Sequence, residues 1–189
     1  MVNTCMTLLS ILEQFGAPRN CFVPGFGMTE TCAGSIHNNF FPQYDLKHGL
    51  KFASLGTCHP SIEMRVIPNK HQGADTEVVA GGIGQLHVRG PLVFSEYYND
   101  PENTQAAFTD DGWFVTGDWA TIDDEGMLRL IGREKDSVNI NGVKHNIAEL
   151  QTALDLAALP GVVLSYTVVF GRRPDDRDTE AVSVVYRAS

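Results

Sequence analysis

Three short stretches place residue types that could do chemistry close together. In "CFVPGFGMTETCAGS", residues 21–35, an apolar run breaks into Gly25 and Gly27, and Thr29 and Glu30 follow at once. Glycines let a backbone come close to a ligand. Beyond the carboxyl end of a strand, a hydroxyl can bond a phosphate oxygen and a carboxylate can hold Mg²⁺, directly or through water. The bland reading is an ordinary strand-to-loop turn. In "GWFVTGDWA", residues 112–120, Asp118 follows a Thr-Gly turn between two aromatic-rich strands. It either bonds its own turn backbone or grips two vicinal hydroxyls, as proteins hold a ribose. In "IGREKD", residues 131–136, Arg133 stands where a strand ends. Alone it reads as solvated surface.

Such side chains need elements to aim them. Val2, Cys5, Met6, Leu9 and Leu12 recur at helical spacing and predict a helix over 2–15, ended by Gly16 and Pro18. Cys21 to Pro24 predicts a short buried strand that stops at the glycines. Residues 31–50, with Asn38, Asn39, Pro42 and Gly49, read as loop. Short strands are expected over 52–57, 62–67, 77–79 and 85–89; in the last, Leu86 and Val88 face one way and Gln85, His87 and Arg89 the other. "NDPENTQAAF", residues 99–108, predicts a helix capped by Asp100 with Pro101 at its first position. Strands around 113–115, 119–122 and 127–131 come next, the last two joined as a hairpin through Asp123-Asp124-Glu125-Gly126. Asn146 and Glu149 open a further helix with Ile147, Leu150 and Leu154 as its apolar stripe, and Pro160-Gly161 stops it. Strands over 162–170 and 181–186 complete the pattern. A change of character near 132–136 divides the chain into 1–133 and 134–189. The expected class is α/β with much β, an α+β fragment.

The 189 residues, 43% hydrophobic and 20% charged, describe a soluble globular protein. Its net charge of −9 argues against a nucleic acid partner, while local amides, a metal ion or single cations can still hold a phosphate. No apolar run approaches the ~20 residues of a membrane span, and no secretory leader precedes the first helix, so a cytoplasmic location is expected. Cys5, Cys21, Cys32 and Cys58 form no Cys-x-x-Cys pair and read as buried free thiols rather than a zinc site. A hydrolase has no support, since neither Gly-x-Ser-x-Gly nor His-Glu-x-x-His occurs.

The Gly-Phe-Gly-Met-Thr-Glu turn, then "GQLHVRGPLVFSEYYNDPENT", "FVTGDW" and "GREKDSVNINGVKHNIAEL", follow one another in an order that resembles the adenylate-forming superfamily: acyl-CoA synthetases, luciferases and adenylation domains of nonribosomal peptide and polyketide synthases. "GFGMTETCAGS" and "INGVKHNIAEL" are most similar to the adenylation domains of fungal and bacterial multidomain synthases. The resemblance implies an ATP- and Mg²⁺-dependent reaction. A carboxylic acid attacks the α-phosphate, pyrophosphate leaves, and the acyl-adenylate passes to the thiol of CoA or a phosphopantetheinyl carrier domain. It implies that Gly25, Phe26, Gly27, Met28 and Thr29 line the nucleotide, Phe26 beside the adenine and Thr29 on phosphate, with Glu30 on Mg²⁺. Asp118 would bind the ribose hydroxyls and Arg133 support the ribose from the domain junction. Lys135 would be the hinge of the small domain, Lys144 a basic residue on the phosphate side, and Gly142 part of the loop facing thioester formation.

Gln85 stands where glutamate is usual and Asn139 where lysine is frequent. The family's phosphate loop and its late catalytic lysine have no counterpart in these residues. A truncated piece of an adenylating enzyme, inactive alone and prone to self-association, is therefore the expectation; a non-catalytic binding or scaffold module with the same shape is the alternative.

Overall fold

The computed structural model describes residues 2–68, 80–133, 136–141, 143–174 and 179–189. The expected strand at 77–79 lies outside them. The chain divides into two units, Met1–Ile131 and Gly132–Ser189.

In the first unit the helical spacing at the start becomes α1, Val2–Gln14, which buries Val2 and Leu9 with Phe41. The next strand, β1, lies on Gly25–Gly27 and not on Cys21–Pro24. Cys21 and Val23 are exposed, whereas Phe26 is buried. The ladder forms where a partner exists: β2, Gly34–His37, pairs antiparallel with β1 and sets Ile36 opposite Phe26. One buried aromatic between two glycines offers no alternation from which to read a strand.

The stretch expected to be loop therefore holds β2, and also α2, Gln43–Lys47. Its polar residues fold inward because they satisfy one another. Asp45 is fully buried; it accepts the Ser54 N–H at 2.6 Å and the Asn38 amide at 2.9 Å, and that amide also donates to Ser54 Oγ at 2.8 Å. Tyr44 donates to Asp123, tying α2 to the acidic turn. Instead of a strand over 52–57 there is only β3, Thr57–Cys58, because Leu55 and Gly56 exchange backbone bonds with Leu128. The four cysteines are free, but Cys21 and Cys32 are exposed rather than buried.

β4 (Glu63–Ile67), β5 (Gly84–Arg89), β6 (Phe114–Ile122) and β7 (Leu128–Arg133) form one sheet in that order. α3, Pro101–Ala107, begins as the sequence predicts, with the Asp100 carboxylate accepting the Asn103 N–H at 3.1 Å. Leu86 and Val88 join Phe26, Ile36, Phe114 and Leu128 in a single core, so the short glycine strand and the larger sheet share one apolar interior.

On the sheet's other face Trp113 lies between the guanidiniums of Arg65 and Arg89, each 4.4 Å from its ring centre. Arg65 forks onto Asp111 at 2.7 and 3.1 Å, and Arg89 meets Glu63 at 2.6 Å. His87, opposite Arg65 and 5% exposed, lies on this face. Burial, and then the Arg65 charge, lower its pKa from 6.5 to about 4, with Asp111 opposing. The folded protein thus keeps His87 neutral where the unfolded chain would take up a proton. Stability is present above pH 6.5 and is lost as pH falls toward 4. We expect His87 to account for about 2 kcal/mol of destabilisation between pH 7 and pH 5. Urea midpoints at the two pH values should converge in His87→Gln, and an unchanged gap would refute this origin.

In the second unit β8 (Ser137–Ile140) and β9 (Val143–Asn146) make a hairpin that the sequence does not announce. α4, Ile147–Ala157, starts where the Asn146 side chain accepts the Ala148 N–H at 2.8 Å. It ends at left-handed Ala158, ahead of Pro160-Gly161. β10 (Val162–Arg172) and β11 (Ala181–Ala188) form an antiparallel ribbon. Gln151 of α4 accepts the Val169 N–H at 2.9 Å, and Val138 and Val169 are buried. Among the described residues no helix is long and apolar enough to cross a membrane.

Candidate functional site

The Thr-Glu pair follows β1 in a single 3₁₀ turn, Thr29–Thr31. Close approach makes glycine necessary at 27: a Cβ there would lie 2.3 Å from the Ala33 carbonyl oxygen and 2.6 Å from Gly34 Cα. Thr31, 1% exposed, locks the turn from inside. Its Oγ1 accepts the Met28 N–H at 3.1 Å and donates to the Ala33 carbonyl at 2.9 Å. With position 31 committed to structure, Thr29 is left exposed and Glu30 half-buried. Among the described residues the Thr29 hydroxyl has no hydrogen-bond partner.

Glu30 is fixed twice. Its carbonyl accepts the Phe94 N–H at 2.8 Å, and its Oε1 accepts the Tyr97 phenol at 3.0 Å. The Tyr97 ring rests on Phe94, 4.6 Å between centroids, and Phe94 packs on Phe108 and Phe114. Tyr97 N–H donates to Thr104 Oγ1 at 2.9 Å, which donates to the Asp100 carbonyl at 2.7 Å. Burial, and then the bond to Glu30, raise the Tyr97 pKa, so the phenol stays protonated as a donor. Residue type alone does not single out Tyr97 in the sequence. Its only signal is its place in "YYNDPENT", directly ahead of the α3 cap.

Asp118 does not follow a turn between two strands. Phe114–Ile122 is one strand carrying a bulge: Val115 pairs with His87 and Trp119 with Gln85, so Thr116, Gly117 and Asp118 oppose Leu86 alone. Gly117 takes a φ of +77°, which favours glycine. Thr116 Oγ1 donates to the Leu86 carbonyl at 3.0 Å and accepts the Asp118 N–H at 3.1 Å. A bulge re-aims the side chain that follows it, and here it sets the 4% exposed Asp118 on the sheet.

Phe26 is 9% exposed and belongs to the core. Arg133, exposed, is the last residue of β7 and falls in the second unit. Lys144 belongs to β9, opposite Asn139. Lys135 and Gly142 lie outside the described residues. No group of three or more His, Cys, Asp or Glu able to hold a metal occurs among the described residues. A half-buried carboxylate with one oxygen already bonded suits Mg²⁺, which takes one or two carboxylates and completes its shell with water and phosphate oxygens.

No family model matches the chain. The nonribosomal peptide synthetase pngA of Aspergillus terreus is 46% identical over 186 residues, covering 98% of this chain and 20% of that protein. The structure of McyG A-PCP complexed with phenylalanyl-adenylate superposes with a TM-score of 0.77 at 32% identity, over 98% of this chain and 28% of that one. O-succinylbenzoate coenzyme A synthetase (MenE) from Bacillus subtilis, in complex with ATP and magnesium ion, gives 0.69 at 25% identity, over 96% of this chain and 34% of that one. The chain belongs to the adenylate-forming superfamily. It spans about a fifth of the length of the curated relatives it matches, and its mixed α/β architecture is that of the later part of an adenylation domain. The Gly-Phe-Gly-Met-Thr-Glu turn and the Thr-Gly-Asp bulge are thus its pieces of an adenylate-forming fold.

Proposed function

We propose that this chain provides the nucleotide- and metal-binding part of an ATP-dependent carboxylate-adenylating ligase. The observation that carries the reading is the Thr29-Glu30 turn: one side chain presents an exposed hydroxyl and the next a carboxylate with one oxygen pinned by Tyr97. The complexes of two structural neighbours, one with an aminoacyl-adenylate and one with ATP and magnesium, support it.

In this reading a carboxylate oxygen of the acid attacks the α-phosphorus, the bond to the bridging oxygen breaks, and pyrophosphate leaves. A thiol then attacks the acyl carbon and releases AMP. When bound, Mg²⁺ neutralises charge on the phosphates. Thr29 donates its hydroxyl to a phosphate oxygen, and Glu30 supplies a ligand oxygen. Asp118 accepts from the ribose hydroxyls. These groups act by positioning and by electrostatics prearranged where charge develops. The division into a nucleotide-binding part, 1–133, and the start of a mobile domain, 134–189, belongs to the same reading. The roles of Phe26, Arg133, Lys135, Gly142 and Lys144 carry over from the resemblance alone. The acceptor thiol is that of CoA or a carrier domain, and the A-PCP neighbour favours the carrier.

The test is ATP–pyrophosphate exchange by the protein carrying this chain, across aryl, alkyl and amino acids. Acid-dependent exchange that is abolished by EDTA and restored by Mg²⁺ is expected. Exchange with no acid dependence, or none with any acid, would defeat the proposal.

A further inference from the structure

Among the residues packed around the Thr-Glu turn, Tyr97 has a geometry that a merely space-filling tyrosine does not require. Its ring rests on Phe94, and phenylalanine would pack there as well. The hydroxyl goes to a charged group, Glu30 Oε1 at 3.0 Å, although Tyr97 is only half-buried and water is within reach. The backbone beneath it is tied down by Thr104 and through Thr104 to Asp100, the cap of α3. Glu30 itself is held from the same segment, by the Phe94 N–H at 2.8 Å. One carboxylate oxygen is thereby committed to the protein. Among the described residues the other, Oε2, has no hydrogen-bond partner.

We infer that Tyr97 is a positioning residue for Glu30: its phenol, anchored through Thr104 to the α3 cap, holds one carboxylate oxygen and presents the other to the divalent cation bound with the nucleotide. The inference rests on the adenylation reading, and it gives "YYNDPENT" a task, as the buttress that aims a metal ligand. A carboxylate free to turn would offer either oxygen, or both, in several directions. Mg²⁺ demands near-octahedral placement of its few protein ligands, and outer-shell hydrogen bonds that orient a ligand typically change metal affinity about 10- to 100-fold.

The experiment uses the protein carrying this chain and reads Mn²⁺ binding by electron paramagnetic resonance in the presence of a non-hydrolysable ATP analogue. Nucleotide binding in EDTA is measured alongside. Tyr97→Phe should weaken Mn²⁺ binding about 10-fold and leave metal-free nucleotide binding unchanged. Tyr98→Phe, altering the 93% exposed neighbour, should do neither. In a Glu30→Gln background Tyr97→Phe should have no further effect on Mn²⁺, since a pair acting through one carboxylate is coupled. Thermal midpoints identify any variant that acts by unfolding, and Thr104→Val, which loosens the same anchor, should weaken Mn²⁺ in the same direction. If wild type binds Mn²⁺ with the analogue and Tyr97→Phe binds it equally well, or loses as much in the Glu30→Gln background, the positioning role is overturned while the adenylation reading survives. If wild type binds no nucleotide with or without metal, the adenylation reading falls and takes this role with it.

Discussion

Glu30→Gln should reduce acid-dependent ATP–pyrophosphate exchange by roughly 10²–10³-fold, the usual cost of losing one prearranged electrostatic group at a site where charge develops. The substitution keeps the shape of the side chain. It also keeps an oxygen that can accept from Tyr97, 3.0 Å away in the wild type, and it leaves untouched the Glu30 carbonyl that accepts the Phe94 N–H. The turn should therefore stay folded, and what disappears is the negative charge offered to a cation. That makes the effect separable from instability: the thermal midpoint should hold while the Mg²⁺ concentration needed for half-maximal exchange rises. A variant that exchanges at the wild-type rate with the wild-type Mg²⁺ dependence would remove Glu30 from the site.

Asp118→Ala should lower kcat/KM for ATP by about 10²–10⁴-fold. Two hydrogen bonds to a charged acceptor, each contributing ~1.5–3 kcal/mol, would be lost together. Asp118 is 4% exposed, so a loss of activity alone would not separate binding from folding. The sugar provides the control. Wild type should discriminate strongly between ATP and 2′-deoxy-ATP, because removing a ribose hydroxyl deletes one of the two partners. Asp118→Ala, having no acceptor to disappoint, should use both nucleotides about equally poorly. Undiminished discrimination in the variant would mean that Asp118 does not read the ribose and that the bulge serves the sheet alone.

Local chemistry explains which parts of this protein are legible in its sequence. Helix starts depend on neighbours three or four positions away, so Asp100 with Pro101 and Asn146 ahead of Ile147 can be read directly. The alternation of Leu86 and Val88 with Gln85, His87 and Arg89 announces β5 for the same reason. The order of the Thr-Glu turn, the Thr-Gly-Asp stretch and "GREKD" also points to the superfamily, because a succession of short motifs is read along the chain without reference to neighbours in space. Whatever depends on a distant partner stays hidden. β1 lies on Gly25–Gly27 because β2 determines where a ladder can form. The loop-like composition of residues 31–50 conceals Asp45, whose burial is tolerable only once Asn38 and Ser54 surround it. The Thr-Gly-Asp stretch is a bulge and not a turn because Leu86 of β5, 30 positions before Thr116, stands alone against three residues. Tyr97 lies 67 positions from Glu30. No periodicity or motif spacing links them, since a hydrogen bond between two side chains leaves its mark in space and only folding brings the two groups within 3.0 Å.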